Sequence, residues 1–230
     1  MKAFPSSISE FWYGVRDELP LLLGVAPFGM IFGALALSAG LSAGISQAMS
    51  SIIFAGSSQF IAVQLMGSGA PALVIFLTGV VVNLRHALYS ASIAPYVQRL
   101  SPHWQSILAY LLTDEAYAIA IHHYDDQTIS IDKKHWYFLG AGLTLWTCWQ
   151  VSTALGIFVG TILPNNIPLD FTLPLVFIAL VVPSLREKPA VLAAIVSGIL
   201  SVVFFGLPYK LGMLLAAIIG MGVGLWKEKK

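Results

Sequence analysis

An arginine and a histidine interrupt an otherwise apolar stretch of the chain. Arg85 and His86 lie near the middle of residues 72–94, which have the length and apolarity of a bilayer-spanning helix. Such a helix needs about 20 residues at a rise of about 1.5 Å to cross roughly 30 Å of hydrocarbon. A guanidinium that faced lipid at that depth would cost at least about 2.5–3.5 kcal/mol. We therefore expect Arg85 to face protein, water or an anionic ligand.

A second polar group lies in the apolar segment 47–66, which contains a glycine, two hydroxyls and a carboxamide in succession: Gly56, Ser57, Ser58 and Gln59. These groups need hydrogen-bond partners within hydrocarbon, and a broken or re-entrant helix that lines a cavity would provide them. Alternatively, Ser57 and Ser58 bond back to preceding carbonyl groups and Gln59 joins two helices. The sequence leaves both interpretations open.

Two adjacent carboxylates, Asp114 and Glu115, interrupt a third apolar segment, 106–123. Successive helix positions differ by about 100°, so the two side chains cannot face the same neighbour. One carboxylate is expected to be ion-paired while the other contacts water or carries a proton. A salt bridge to Arg85 that only satisfies both charges is the plain alternative.

The connection from residue 122 to residue 135 holds the largest polar cluster. His122 has the spacing from Asp125 and Asp126 that could ligate a metal. A solvated loop explains the same residues, and no further ligand group or motif supports a metal. We expect neither a metal nor a cofactor.

The composition requires a membrane. The chain has 230 residues, 57% of them hydrophobic and 10% charged, whereas about 25% are charged in a typical soluble domain. We predict an all-α polytopic membrane bundle that forms one domain, residues 1–230, with seven or eight membrane segments that include short or broken helices. The net charge of +1 argues against a nucleic-acid partner, and the one cysteine, Cys148, excludes an intrachain disulfide.

Glycines and prolines indicate how the longer helices pack. The first helix is predicted over 19–39 after an interfacial segment, 9–13, with a kink near Pro27 and tight contact on its glycine side. A long uncharged helix is predicted over 137–163, where Gly156 and Gly160 form a small-xxx-small pair. The remaining predictions are a loop over 95–105 and helices over 190–205 and 209–226.

The segment from Asp170 to Ser184 is too short to span alone. It opens with Asp170 and Pro174, and its roughly 14 residues give about 21 Å of helix. Segments 47–66 and 170–184 therefore occupy comparable places in the two halves, a pattern that in transporters points to a midplane binding site. Asp170 serves equally well as a helix N-cap. The positive-inside rule fits an even number of crossings, but re-entry of 47–66 would make the number seven.

With these motifs in hand, the chain resembles the AzlC family, the large subunit of two-component branched-chain amino acid exporters. The resemblance covers residues from about 8 to the end and rests on several motifs in one order. They are Gly24-Val25-Ala26-Pro27-Phe28-Gly29, Phe54-Ala55-Gly56-Ser57-Ser58-Gln59-Phe60, Asn83-Leu84-Arg85-His86, Thr113-Asp114-Glu115-Ala116-Tyr117, Leu169-Asp170-Phe171 and Phe177-Ile178-Ala179-Leu180. It implies export of valine-like amino acids across a bacterial cytoplasmic membrane, with a small hydrophobic AzlD-type partner.

A branched-chain amino acid is a zwitterion with an apolar side chain, so its site needs an anion acceptor, a cation acceptor and a small apolar pocket. We hypothesise that the broken helix from Gly56 to Gln59, with Asn83 and Arg85, holds the carboxylate. Asp114 or Glu115 would receive the ammonium group or a coupling proton, and His86 is a further candidate for ion or proton coupling. Candidates for the pocket are Phe28, Phe54, Phe60 and Phe177.

Two other classes of protein stay open at this stage. A passive channel would need polar faces along several segments, whereas the polar residues here gather at two or three sites. A membrane-embedded enzyme would need a catalytic cluster at one depth, and only residues 122–126 with Asp114 and Glu115 come near. The sequence lacks a Walker-type glycine loop, so transport would draw on an ion gradient, a substrate gradient or the membrane potential.

Overall fold

The computed structural model describes residues 6–124, 131–162, 185, 187–208 and 211–228. These residues form α-helices and short connections, without a strand among them, which confirms the predicted fold class. The helices are α1 Ser7–Ser38, α2 Ala43–Ile53, α3 Gly56–Gly67, α4 Ala72–Val97, α5 Pro102–Tyr110, α6 Asp114–Tyr124, α7 Ile131–Ile162, α8 Lys188–Val203 and α9 Leu211–Glu228. The predicted segment 170–184, with Asp170, Pro174 and Phe177, lies outside the described residues.

Four of the described helices, α1, α4, α7 and α9, are long and apolar enough to cross a membrane by length and composition. Helix α8 is apolar but has 16 residues. By its internal contacts the chain divides into two compact units, residues 1–63 with 79–165 and residues 64–78 with 166–230. The two units are described separately below.

The first unit is built on a close contact between α1 and α7. A β-carbon added at Gly33 would overlap the carbonyl oxygen of Thr153, and one added at Gly156 would overlap that of Met30. Gly160 packs against Ala34 in the same way, with 3.1 Å from its would-be β-carbon to the Ala34 Cα. Helices in lipid associate through such close approach, because burial from water does not drive them together there. The predictions of tight packing on the glycine side of the first helix and of a Gly156/Gly160 packing pair are confirmed.

The first helix begins earlier than predicted. It starts at Ser7 rather than at residue 19, because the Ser6 hydroxyl caps it by accepting a hydrogen bond from the Ser9 amide at 3.1 Å. The predicted interfacial segment is therefore the first part of α1. Its aromatic side chains Trp12 and Tyr13 are exposed, as expected of residues in the headgroup layer.

The predicted loop over 95–105 is also wrong in its bounds. Helix α4 continues through Pro95 to Val97, and α5 begins at Pro102. A proline in the first turn of a helix loses nothing, since its missing N–H would be unpaired there. The connection shrinks to residues 98–101.

Two helix breaks follow from the local backbone. Between α2 and α3, Phe54 adopts a left-handed conformation with φ of 36°. Between α5 and α6, Thr113 precedes the first turn of α6, and its hydroxyl accepts a hydrogen bond from the Ala116 amide at 3.3 Å. Of the two interpretations left open for 47–66, the structure shows the broken helix. Each resulting helix has at most 12 residues, or about 18 Å, which is short of the bilayer thickness.

The second unit contains α8 and α9, which pack through small residues. Gly212, Ala216, Gly220 and Gly224 are buried at four-residue intervals along α9. A β-carbon at Gly220 would overlap the Ser197 hydroxyl, and one at Gly224 would lie 3.0 Å from the Ala193 β-carbon. The predicted helices 190–205 and 209–226 are thus confirmed, with bounds that differ by about two residues.

Candidate functional site

The residues that the sequence singled out meet at an ion pair. Arg85 of α4 pairs through Nη1 with Oδ2 of Asp114, the first residue of α6. The two side chains remain 32% and 38% exposed, so the pair is only partly buried. Because Asp114 stands at a helix N-terminus, the exposed amides of α6 also favour its negative charge. This salt bridge is the plain alternative that the sequence left open for Arg85 and the two carboxylates.

The break between α2 and α3 supplies a second contact to the arginine. Arg85 Nη2 donates to the Ser57 hydroxyl at 3.2 Å. Ser57 lies in the first turn of α3, directly after Gly56. Three separate helices, α3, α4 and α6, therefore meet around one guanidinium.

Ser58 and Asn83 form a second link between α3 and α4. Asn83 Nδ2 donates to the Ser58 hydroxyl at 3.2 Å, and that hydroxyl donates to the Ala55 carbonyl at 2.9 Å. The back-bonding alternative thus holds for Ser58 and not for Ser57. His86 Nδ1 lies 3.3 Å from the Asn83 carbonyl oxygen within α4.

Several polar atoms of this region are buried without a hydrogen-bond partner among the described residues. Neither amide atom of the fully buried Gln59 has one, and the same is true of Asn83 Oδ1, Arg85 Nε and Asp114 Oδ1. The alternative in which Gln59 joins two helices is not seen among these residues. Unpaired buried polar atoms are rare in native proteins, and an unfilled ligand or water position is a common reason for them.

A tyrosine pair, which the sequence reasoning missed, lies beside the ion pair. Tyr89 stacks on Tyr117 with 4.4 Å between ring centroids, and the Tyr117 hydroxyl donates to the Ser92 hydroxyl at 3.0 Å. Tyr89 follows Arg85 by four residues, and Tyr117 follows Asp114 by three, so both share a helix face with a charged residue. That spacing could have identified them.

The two adjacent carboxylates turn to different neighbours, as predicted from the helix angle. Asp114 faces Arg85, whereas Glu115 lies within electrostatic range of Glu18 on α1. Glu10 and Glu18 are fully buried in α1, and Glu10 Oε2 lies 2.7 Å from His123 Nε2. The sequence reasoning missed both glutamates because it placed them before the first helix. Their four-residue spacing from Gly14, a helix-packing position, was the available signal.

The predicted polar connection at 122–135 is largely helical where it is described. His122 and His123 lie in the last turn of α6 and His135 lies in α7, while Asp125 and Asp126 fall outside the described residues. Within the part of the chain that the structure describes, no group of three His, Cys, Asp or Glu side chains could hold a metal ion.

The candidate apolar residues fall in two places. The ring centroids of Phe28 and Phe60 are 5.7 Å apart, and both α1 and α3 contribute to that contact. Phe54 packs instead near Tyr110, at 6.0 Å. Pro27 lies within α1 and is exposed. A small aromatic cluster therefore lies on α3, one turn beyond Ser57.

Known proteins are similar in sequence to this chain over most of its length. The model of the AzlC protein family matches residues 20–163, which include every described residue of the candidate site. The inner membrane protein YgaZ of Escherichia coli is 29% identical over 211 residues, covering 87% of this chain and 84% of its own. The branched-chain amino acid transport protein AzlC of Bacillus subtilis is 28% identical over 207 residues, covering 86% and 80%.

An uncharacterized membrane protein of Archaeoglobus fulgidus is 30% identical over 226 residues, covering 96% of this chain and 97% of its own. No solved structure matches significantly. The family model covers more than half of the chain, and the described helices suit a multi-pass membrane protein. The chain belongs to the AzlC family.

Proposed function

We propose that the protein is the large subunit of a secondary transporter that exports branched-chain amino acids across the bacterial cytoplasmic membrane with a small AzlD-type partner. The observation that carries the proposal is the partly exposed Arg85–Asp114 pair, set where two broken helices meet α4. A similar protein of Bacillus subtilis bears the name of a branched-chain amino acid transport protein.

The pair matches the two charges of a zwitterion. Arg85, together with the Ser57 hydroxyl and the first amides of α3, would take the carboxylate. Asp114 would take the ammonium group. In the substrate-free protein these residues bind each other, so an arriving amino acid would replace one ion pair by two. The exchange leaves no charge unpaired, which keeps its cost in a partly dry site low.

The unpaired atoms around the pair fit the same role. Gln59, Asn83 Oδ1 and Arg85 Nε have hydrogen-bonding capacity that the described residues do not use. Phe28 is partly exposed and packs against the buried ring of Phe60, so Phe28 offers an apolar surface next to α3 for the side chain of the substrate. Few precisely placed polar groups beside an apolar surface are typical of small-molecule sites.

Valine efflux tests the proposal. Cells that express the chain with its partner are loaded with a valine-containing dipeptide, and efflux is compared for Arg85→Ala and Asp114→Asn at matched abundance in the membrane. A hydrogen bond to a charged group contributes about 1.5–3 kcal/mol. We therefore expect efflux to fall by about ten- to 150-fold, at 1.4 kcal/mol per factor of ten.

Exposed charges provide matched controls. Arg99→Ala makes the same change at an exposed position between α4 and α5, and Glu228→Gln removes an exposed carboxylate. Both controls should keep normal efflux. Unchanged efflux in Arg85→Ala and Asp114→Asn would exclude the pair from the mechanism. Efflux that rises linearly with valine, without saturation, would favour a passive channel instead.

The partner is tested separately. Efflux from cells that express the chain alone should remain at the background level and return when the AzlD-type subunit is added. Full export without that subunit would contradict the two-subunit arrangement while leaving the amino acid site intact.

A further inference from the structure

Two buried carboxylates on α1 have no role in the site described above. Glu10 and Glu18 are both fully buried. Neither oxygen of Glu18 has a hydrogen-bond partner among the described residues, and Oε1 of Glu10 lacks one as well. An ionised carboxylate in that position would be very costly, so it must be paired, protonated or in contact with a ligand.

The groups that face these glutamates come from α6. Glu10 Oε2 lies 2.7 Å from His123 Nε2, and Glu18 lies within electrostatic range of Glu115. Eight residues, or about 12 Å of helix, separate Glu10 from Glu18 in α1 and Glu115 from His123 in α6. Because Glu10 at the start of α1 is opposite His123 at the end of α6, the two helices run antiparallel. Glu18 and Glu115 therefore lie at the same level. We call these four residues, Glu10, Glu18, Glu115 and His123, the acidic column.

Helix α7 contributes a tyrosine that contacts residues of both α6 and α1. Tyr137 stacks on His123 with 3.7 Å between ring centroids, and its hydroxyl donates to Asp17 at 2.8 Å. It is also within electrostatic range of both Glu10 and Glu18, and Tyr124 of α6 is within range of Glu10. Titratable groups thus lie along the whole length of the column.

The two ends of the column differ in position. At one end Glu115 is the neighbour in sequence of Asp114, which pairs with Arg85. At the other end Glu10 lies in the first turn of α1, close to the exposed aromatics Trp12 and Tyr13. The column therefore leads from the candidate site to the membrane face at which α1 begins.

The inner pair of the column, Glu18 and Glu115, consists of two carboxyl groups within electrostatic range of each other, and Glu18 is fully buried. Two neighbouring carboxylates in a site of low dielectric constant cannot both ionise, so one of them keeps a proton. Glu18 and Glu115 are on facing helices, and a conformational change that alters their separation would release or bind that proton.

We propose that Glu18 and Glu115 share the proton that drives transport, and that Glu10 and His123 connect it to water at the membrane face where α1 begins. In each cycle an O–H bond breaks at one of the two inner carboxyl groups, and the proton passes through intervening water to the Glu10 carboxylate. His123 Nε2 then accepts the proton from Glu10, and the resulting imidazolium releases the proton on Nδ1 to bulk water. One proton moves and no electron is transferred. The proposal rests on the proposed transport function.

Proteoliposomes that contain the chain and its partner test the column with two measurements. The first is proton movement in response to a valine gradient, followed with a trapped pH-sensitive dye. The second is exchange of labelled for unlabelled valine, which needs no net proton transfer. The unaltered protein should move protons with valine. Coupling between two bound ligands is typically about 5–150-fold, and we expect Glu18→Gln to lower valine-driven proton movement by that factor while valine exchange continues.

Glu228→Gln, the same change at an exposed position, should leave both measurements normal. Glu10→Gln should slow proton movement with less effect on exchange. Normal proton movement in Glu18→Gln would overturn the proposal. Loss of exchange together with proton movement at normal abundance would also overturn it, since Glu18 would then serve folding or substrate binding.

Valine transport and proton movement by the unaltered protein distinguish failure of this proposal from failure of the proposed function. Valine transport without proton movement would overturn the acidic column alone. The absence of any valine transport by the complex would overturn both.

Discussion

The α1–α7 contact and the region around Arg85 hold their helices in opposite ways. Helices α1 and α7 meet through glycines, and backbone atoms of one touch backbone atoms of the other. Around Arg85, in contrast, α4 is joined to α3 and α6 by polar side chains: Arg85 with Asp114 and Ser57, Asn83 with Ser58, and Ser92 with Tyr117. In lipid both kinds of contact stabilise helix association.

The difference has a functional consequence. Close packing of backbones cannot be exchanged for a ligand, so the α1–α7 contact is expected to stay fixed. Hydrogen bonds and ion pairs can be exchanged for equivalent bonds to a zwitterion. We therefore regard α1 and α7 as the scaffold and the contacts of α4 as the part that responds to substrate.

The largest effect is expected from the scaffold. Gly156→Leu would place a side chain on the Met30 carbonyl oxygen, and overpacking costs about 1–3 kcal/mol or more. We expect folded protein in the membrane to fall strongly, measured as the monodisperse fraction after detergent extraction. Gly24→Leu is the control, because nothing lies within 4 Å of its would-be β-carbon. Equal recovery of both variants would contradict the assignment of this contact as the scaffold.

The second-largest effect is expected on valine efflux when Arg85 and Asp114 are changed singly and together. Arg85→Ala and Asp114→Asn remove partners of one ion pair, so their effects on efflux should not add. The double variant is expected to resemble the more impaired single variant. A product of the two single effects would indicate that the residues act independently. After detergent extraction, the Arg85→Ala and Asp114→Asn variants should be at least as thermally stable as the Gly24→Leu control, because none of these changes touches the α1–α7 contact.

A smaller effect is expected at Ser57. Its hydroxyl accepts one hydrogen bond from Arg85 at 3.2 Å, which is long for such a bond, so we expect its contribution at or below the lower end of the about 1.5–3 kcal/mol typical of bonds to charged groups. Ser57→Ala should raise the valine concentration needed for half-maximal efflux by several-fold while the maximal rate changes little. Ser57→Thr keeps the hydroxyl and should restore the native value. Failure of threonine to improve on alanine would exclude the hydroxyl.

The smallest effect is expected from Tyr117→Phe. The change removes the exposed hydrogen bond to Ser92 and keeps the ring that stacks on Tyr89. A typical hydrogen bond contributes about 0.5–1.5 kcal/mol net, so efflux should stay within a few-fold of the native rate. Tyr117→Ala, which also removes the stack, should be more impaired. Equal efflux from the two variants would mean that the ring contact has no role.

The charged part of the site was predictable from the sequence because its cost in hydrocarbon is high. Arg85, Asp114 and the polar run after Gly56 stand out from apolar surroundings, and each lies at or beside the ion pair in the structure. The glycine contact of the first helix was predictable for a different reason. Glycine in a helix interior costs stability, so its presence there indicates a need for close packing.

Other features had no comparable signal. Glu10 and Glu18 lie among the polar residues that precede the first apolar run, so their burial depends on the start of α1 at Ser7 and on α6, which is distant in sequence. Tyr89 and Tyr117 are ordinary residues for a membrane helix, and only their contact gives them a role. The paired segment 170–184 lies outside the described residues, and its part in the site stays a prediction.

Direct binding of valine to the purified complex tests the central claim that the Arg85–Asp114 pair receives the substrate. Equilibrium binding of labelled valine is measured for the native chain, for Arg85→Ala and for the exposed control Arg99→Ala. We expect saturable binding in the native chain and in Arg99→Ala, and a loss of binding in Arg85→Ala. Undiminished saturable binding in Arg85→Ala would contradict the account.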